Sequence, residues 1–197
     1  MKYFVATLAI VAMLAAAGVA GMNPDSKAFV TFDGAATDYA GIEAGRRADP
    51  TPYTLVTGYM GMCDYAGWTT LSLAMAEGAG MSVSTSYTSL LPGGLAIGDW
   101  NTGITIASTR PITPAEDGPF FFFASVTLVA TGTAGEVTML DHPEYPRELV
   151  DSVGGTDQFC LWQNGALFMD PTPVDVGCAG NVPVEQATWG GIKALYR

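Results

Sequence analysis

Hydrophobic and polar positions alternate with a period of two in one short segment after another, which is the mark of strands with one buried face. The segment Lys27 to Asp33 sets Phe29 and Thr31 against Val30 and Phe32 and predicts a first strand. A polar, Gly- and Ala-rich link from Gly34 to Pro52 follows, and then three strands, Tyr53 to Met62, Trp68 to Met75 and Gly80 to Tyr87. In the second of these, Leu71, Leu73 and Met75 fall on one side and Trp68, Thr70 and Ser72 on the other. Leu91-Pro92-Gly93-Gly94 signals a turn, and Ile104 to Ser108 reads as another short strand. The most apolar run is Pro119 to Thr131. It places Phe120, Phe122, Ala124, Val126 and Leu128 on one face and Phe121, Phe123, Ser125, Thr127 and Val129 on the other, a central strand buried on both faces at its start. A turn over Gly132 to Gly135 leads into Glu136 to Leu140, a hairpin by spacing. Asn164-Gly165 between Gln158 to Trp162 and Ala166 to Met169 predicts a second hairpin with a type I′ turn. About nine such strands, with no convincing amphipathic helix between them, predict an all-β fold of two packed antiparallel sheets, a β-sandwich; a barrel has the same rhythm.

Composition agrees with that pattern and narrows the partners. Of 197 residues, 49% are hydrophobic and 14% charged, enough apolar surface for one domain with a core, and 24 Gly with 12 Pro suit strands and turns better than helices. Eight basic against nineteen acidic residues give a net charge of −11, which repels phosphate backbones and excludes nucleic acid as a partner. Residues 1–20 read as a signal peptide: Lys2, an uncharged run from Phe4 to Ala17, and small residues at Gly18 and Ala20 ahead of Gly21. The run is shorter than the ~20 residues that span a bilayer, and Pro119 to Ala130 is too short as well, so no stable membrane insertion is expected after cleavage. Removal of those 20 residues, Lys2 among them, leaves 177 residues with a net charge of −12. The expected organisation is a signal peptide at 1–20, a sandwich domain at 21–170, a Pro/Gly-rich linker at 171–187 and a tail at 188–197, with the mature protein secreted or held in the cell envelope.

An oxidising compartment allows two of Cys63, Cys160 and Cys178 to pair, and the expected bridge is Cys160 to Cys178, closing a loop with little core of its own. Zinc has no support, because the only histidine, His142, is remote from all three thiols. His142 lies between Asp141 and Glu144 just after a strand; a catalytic base is conceivable there, but a loop histidine with acidic neighbours is the plainer reading. No nucleophile elbow, zinc-protease helix or phosphate loop is present. The acid-rich loops Asp33 to Asp38, Glu116-Asp117 and Asp151 to Asp157 could hold a structural calcium, although none has the spacing of the twelve-residue calcium loop. No other cofactor is expected. Trp68, Trp100 and Trp162 lie in or beside strands with Tyr53, Tyr59, Tyr65 and Tyr87. Trp100, between Asp99 and Asn101, is the ring least easily buried and the candidate for stacking on a ligand.

The chain ends in Val182-Pro183-Val184-Glu185-Gln186-Ala187-Thr188-Trp189-Gly190-Gly191-Ile192-Lys193-Ala194-Leu195-Tyr196-Arg197. This ending resembles the closing segment of a group of uncharacterised secreted bacterial proteins, in which a short tail follows a sandwich of the cohesin-like or carbohydrate-binding-like type. The segments GITIAST, PFFFFASVTLVATGTAGEVTML, HPEYPRELVDS and QFCLWQNGALFMD fit the same pattern. Where those relatives carry Cys, Ser152 stands here. The resemblance implies secretion and a non-catalytic, cohesin-like or Ig-like/jelly-roll sandwich, and supplies no activity. In the tail, Trp189, Ile192, Leu195 and Tyr196 share one side of a helix that Thr188 could cap, which suggests a recognition, sorting or attachment element. The expected function is therefore an extracytoplasmic binding or scaffold module with Trp100, Trp189, Leu195 and Tyr196 as binding residues and a glycan or cell-surface protein as partner. The alternative is a secreted polysaccharide hydrolase built on a carboxylate pair.

Overall fold

The computed structural model describes residues 22–78 and 82–176 of the chain. Its fourteen strands are β1 (Lys27–Thr31), β2 (Arg47–Ala48), β3 (Thr54–Cys63), β4 (Trp68–Glu77), β5 (Ser82–Ser89), β6 (Leu95–Asp99), β7 (Gly103–Ile112), β8 (Phe120–Ala130), β9 (Gly135–Leu140), β10 (Glu148–Asp151), β11 (Thr156–Gln158), β12 (Cys160–Gln163), β13 (Gly165–Leu167) and β14 (Pro173–Val176). Two short helices interrupt them, α1 (Tyr39–Gly45) and α2 (Pro114–Asp117). Sheet one runs β14-β12-β1-β3-β8-β5. Sheet two runs β11-β10-β4-β9-β13-β2, with β7 on β4 and β6 outermost on β7. Along β4, Trp68 to Leu71 pair with β10 and Ala74 to Glu77 with β9, so these two strands lie end to end.

The inner faces meet in a core of Ala28, Val30, Met60, Met62, Leu71, Leu73, Met75, Ile104, Ile106, Val126, Leu128, Val137 and Leu149, all at most 1% exposed. The alternation expected for β4 holds at Leu71, Leu73 and Met75 but not at Trp68. Thr69 is an extra residue opposite the Val150–Asp151 step, and this bulge turns Trp68 into the core. A second bulge changes β8. Met60 pairs with Ala124 and Gly61 with Phe122, so Phe123 is the extra residue and the parity reverses. Phe121 consequently packs inward against Trp68, with ring centroids 6.0 Å apart. Phe120 and Phe122 turn to the outer side, away from the face of Ala124, Val126 and Leu128 on which alternation had put them.

Those outward rings join Phe29, Ile42, Cys63 and Trp162 in a second, smaller core on the outer side of sheet one. Helix α1 covers it. Seven residues with two glycines show no helical periodicity, so the sequence predicts only a link here; the helix forms because Asp38 caps it, accepting the Gly41 N–H at 2.7 Å, and because Ile42 is fully buried. Gly61 makes room for the edge-on Phe29 ring, which a Cβ there would overlap.

Both predicted hairpins are corrected. Strand β8 belongs to sheet one and β9 to sheet two, so Gly132 to Ala134 carries the chain between layers. Likewise β12 and β13 lie in different sheets, and the step through Asn164, 6% exposed, is buried and lacks the positive φ of a type I′ turn. A Cβ on Gly165 would come within 2.7 Å of Val30, so glycine serves close approach there. This crossing makes two parallel pairs, β1 with β12 and β2 with β13, in sheets expected to be wholly antiparallel. Strand β14 falls within the stretch expected as linker. Among the described residues no helix is long and apolar enough to cross a membrane. The expected signal peptide lies outside the described residues.

Candidate functional site

The outer faces of the two sheets differ. Over sheet one, α1 and its aromatic cluster cover the β1 end. Over sheet two, the register places Leu95 beside Ala107, Ala107 beside Thr70 and Thr70 beside Val150, with Ile97, Thr105 and Ser72 in the next row. None of these seven side chains is charged, in a chain of net charge −11. Within these rows the Ser72 and Thr105 hydroxyls lie 2.8 Å apart, and the next row, Asp99 opposite Gly103, brings in a charge and is overlain by His142 and Pro143. Strand β6 gives the face relief. It pairs only with β7, and Leu95 and Ile97 are 62% and 64% exposed. Two adjacent aliphatic side chains on an edge strand without a Lys or Pro form the kind of surface that solvent alone does not favour.

The candidate rings offer less. Trp100 is half-buried, its ring stacked on Tyr87 with centroids 5.3 Å apart and an interplanar angle of 18°, and Tyr87 donates to Glu77 at 2.6 Å. The expected free stacking platform is thus covered on one face. Trp68 is fully buried, and Trp162 packs edge-on against Phe29 and Tyr39. Trp189, Leu195 and Tyr196 lie outside the described residues.

The acids of the candidate loops are occupied within the fold. Asp117 accepts from Arg110 at 2.5 and 2.9 Å and from the Thr113 N–H, and the guanidinium holds its carboxyl below the usual carboxylate range. Asp151 accepts from Val153 and Gly155 N–H groups at 2.8 Å, Asp157 from Asn23, and Asp33 from the Ala35 N–H. Among the described residues no three His, Cys, Asp or Glu side chains converge as metal ligands. His142 accepts the Glu144 and Tyr145 N–H groups at Nδ1, both at 3.1 Å, which makes it the hub of its own turn.

Cys63 is a free thiol with no exposed surface; burial first, and Asp64 second, push it up to about 12. Cys160 is 6% exposed, and Cys178, its expected partner, lies outside the described residues.

The sequence reading missed one site. Between the C-terminal end of α1 and strands β12 and β14 lies a cavity of about 250 Å³ lined by Glu43, Arg46, Trp162, Gln163, Asn164 and residues 171–174. Its residues come from three distant segments, so no local spacing announces it.

No protein-family model matches the sequence, and no curated protein matches it. Among solved structures, the chain is similar to the sixth cohesin of scaffoldin B from Acetivibrio cellulolyticus, solved with a dockerin, at 10% identity over 74% of this chain and 99% of that one, with a TM-score of 0.47. It is also similar to a cohesin module of a family 33 glycoside hydrolase from Clostridium perfringens (8% identity, 73% of this chain, 93% of that one, TM-score 0.48). A third is a non-cellulosomal cohesin from the archaeon Archaeoglobus fulgidus (10% identity, 73% and 89%, TM-score 0.46). These are likenesses of architecture, and the two packed sheets show the chain to be an all-β sandwich.

Proposed function

We propose that the chain is a non-catalytic extracytoplasmic binding module that holds a protein partner against the outer face of sheet two, and that the tail at 188–197 serves sorting or attachment. The observation that supports this most is the pair of uncharged rows that end in exposed Leu95 and Ile97 on β6. Such a surface suits a partner with a matching apolar centre, and the acidic loops around it favour one with a basic rim, which they would steer onto the face. A protein partner fits the centre of this face better than a glycan, because its strand residues Leu95, Ile97, Thr105, Ala107, Thr70, Ser72 and Val150 include no aromatic ring on which a sugar could stack. Four of the acids in the candidate loops, Asp33, Asp117, Asp151 and Asp157, are tied into turns and ion pairs, which disfavours those loops as the home of a hydrolytic carboxylate pair.

The test is capture of envelope and secreted proteins on the mature chain, compared with two surface variants. Ile97→Lys is expected to abolish capture of the specific partner. Leu55→Lys, at a 70% exposed position on sheet one, is expected to leave it intact. Equal capture by all three proteins would remove the face from consideration.

A further inference from the structure

The outermost strand of sheet two has an unpaired edge. Among the described residues β6 pairs with β7 alone, and all five of its residues are exposed. Two hydrogen bonds beyond the ladders fix which backbone groups face that edge. Thr109 of β7 donates its N–H to the Pro92 carbonyl at 3.3 Å, so the odd-numbered residues of β7 turn their backbone groups toward β6. On β4 the Met75 N–H reaches the Trp100 carbonyl at 2.6 Å, which aims Leu73 and Leu71 at Ile104 and Ile106 and leaves Thr105 and Ala107 to β6. Ile97 and Leu95, opposite those two, are therefore bonded to β7, and Ala96 between them directs its N–H and C=O outward.

Charge and register decide what fills the edge. From Ser89 to Gly98 the chain carries no charged side chain, and β6 has neither the Lys nor the Pro that keeps an edge from pairing. A chain of net charge −11 meets a copy of itself most easily where no acids are opposed. Strand β6 satisfies this when it pairs antiparallel with itself about Ala96. Leu95 then faces the second copy's Ile97, and Asp99 the second copy's Gly93. The two Asp99 carboxylates are six residues apart along the joined strands, ~20 Å, well past the ~8 Å over which salt screens them. Ala96 exchanges two hydrogen bonds with its counterpart, so Leu95 and Ile97 fall at non-hydrogen-bonded pairs, where side chains lie closest. Gly98, whose φ of 100° bends the strand, stays outside this central pair.

We propose that the chain forms a two-fold dimer through β6, in which sheet two continues from one copy into the other. Leu95 and Ile97 of both copies make one apolar cluster at the centre of a doubled outer face. The dimer stands on the edge alone; only its use as a doubled docking face rests on that face being where the protein partner sits.

The experiment is sedimentation equilibrium of the mature chain up to about 1 mM, with amide exchange followed by NMR at low and high concentration. One strand pair is a small interface, so we expect a monomer–dimer equilibrium with a Kd on the order of 0.1 mM. The Ala96 amide should exchange more slowly at high concentration, whereas the Ile97 amide, already bonded to β7, should not change. Ala96→Pro removes the outward N–H, and Ala96→Lys sets two like charges opposite each other; each should weaken the dimer about tenfold or more with an unchanged melting temperature. A monomer at 1 mM, or a dimer that both variants leave at parental strength, would overturn the proposal. Both variants keep Leu95 and Ile97 and should still capture the protein partner, which Ile97→Lys should not. A monomeric chain that captures its partner would thus sink the dimer alone, and a dimer without capture would sink only the docking face.

Discussion

At the scale of single residues, Cys63 and Asn23 show how far context decides chemistry. Burial keeps the Cys63 thiol protonated, so a maleimide at pH 8 should leave it unlabelled in the native protein and label it on unfolding. The raised thiol also carries a pH dependence. Its contribution to stability is full below the unfolded value near 8.5 and is lost as pH rises toward about 12, so Cys63→Ala should flatten the alkaline limb of a stability profile. Asn23 is fully buried, with its side chain accepting from Ala66 and Gly67 and donating to Gly67 and Asp157. Asn23→Ala should cost about 2 kcal/mol in urea denaturation, because buried N–H groups would lose their acceptor. The sequence suggested neither role. Cys63 could be read there only as a spare thiol, and Asn23 as one more polar residue after the expected cleavage point.

At the scale of elements, strand existence followed from alternation, whereas facing and pairing did not. Lys27–Thr31, Thr54–Cys63 and Trp68–Glu77 lie within two residues of their expected bounds. Parity was lost at Thr69 and Phe123, because a bulge is a property of two strands and leaves no mark on one. The hairpins failed for a related reason. A turn signal says that the chain reverses, not that it returns to the same layer. Helix α1 was hidden by its brevity and rests on its cap, so Asp38→Ala should cost about 1 kcal/mol and should increase the reactivity of Cys63 beneath it. The Arg110–Asp117 pair gives a second test. Asp117 has a depressed pKa, so its contribution is present above the ordinary carboxyl range and disappears as pH falls through the native value; Asp117→Asn should destabilise at pH 7 and converge on the parent only once pH falls below that depressed native value.

For the whole molecule, a sandwich was legible from rhythm and composition, but the layout of its surfaces was not. Trp100 stands in sequence as an isolated ring in a turn, yet it stacks on Tyr87; Leu95 and Ile97, unremarkable in sequence, are among the apolar side chains that the fold leaves bare. The tail can be tested at this scale. Deleting residues 188–197 is expected to leave the melting temperature nearly unchanged and to shift the protein between envelope-attached and released fractions. A large loss of stability would mean that Trp189 and its neighbours pack on the sandwich.

The meeting of β1, β12 and β14 in sheet one has a mechanical consequence. Ala28 and Val176 both pair with Leu161, so the first and last strands of the described residues meet at one end of the same sheet. A pull between the flanking segments would therefore not stretch the sandwich along its length. In the reduced protein it would open β14 from β12 a bond at a time, a low-force peeling that spares β3, β4 and β8. A module hung by its ends in this way would yield first at the last strand when reduced, whereas the expected Cys160–Cys178 bridge would carry the load past β14 into β12 and keep the last strand in place.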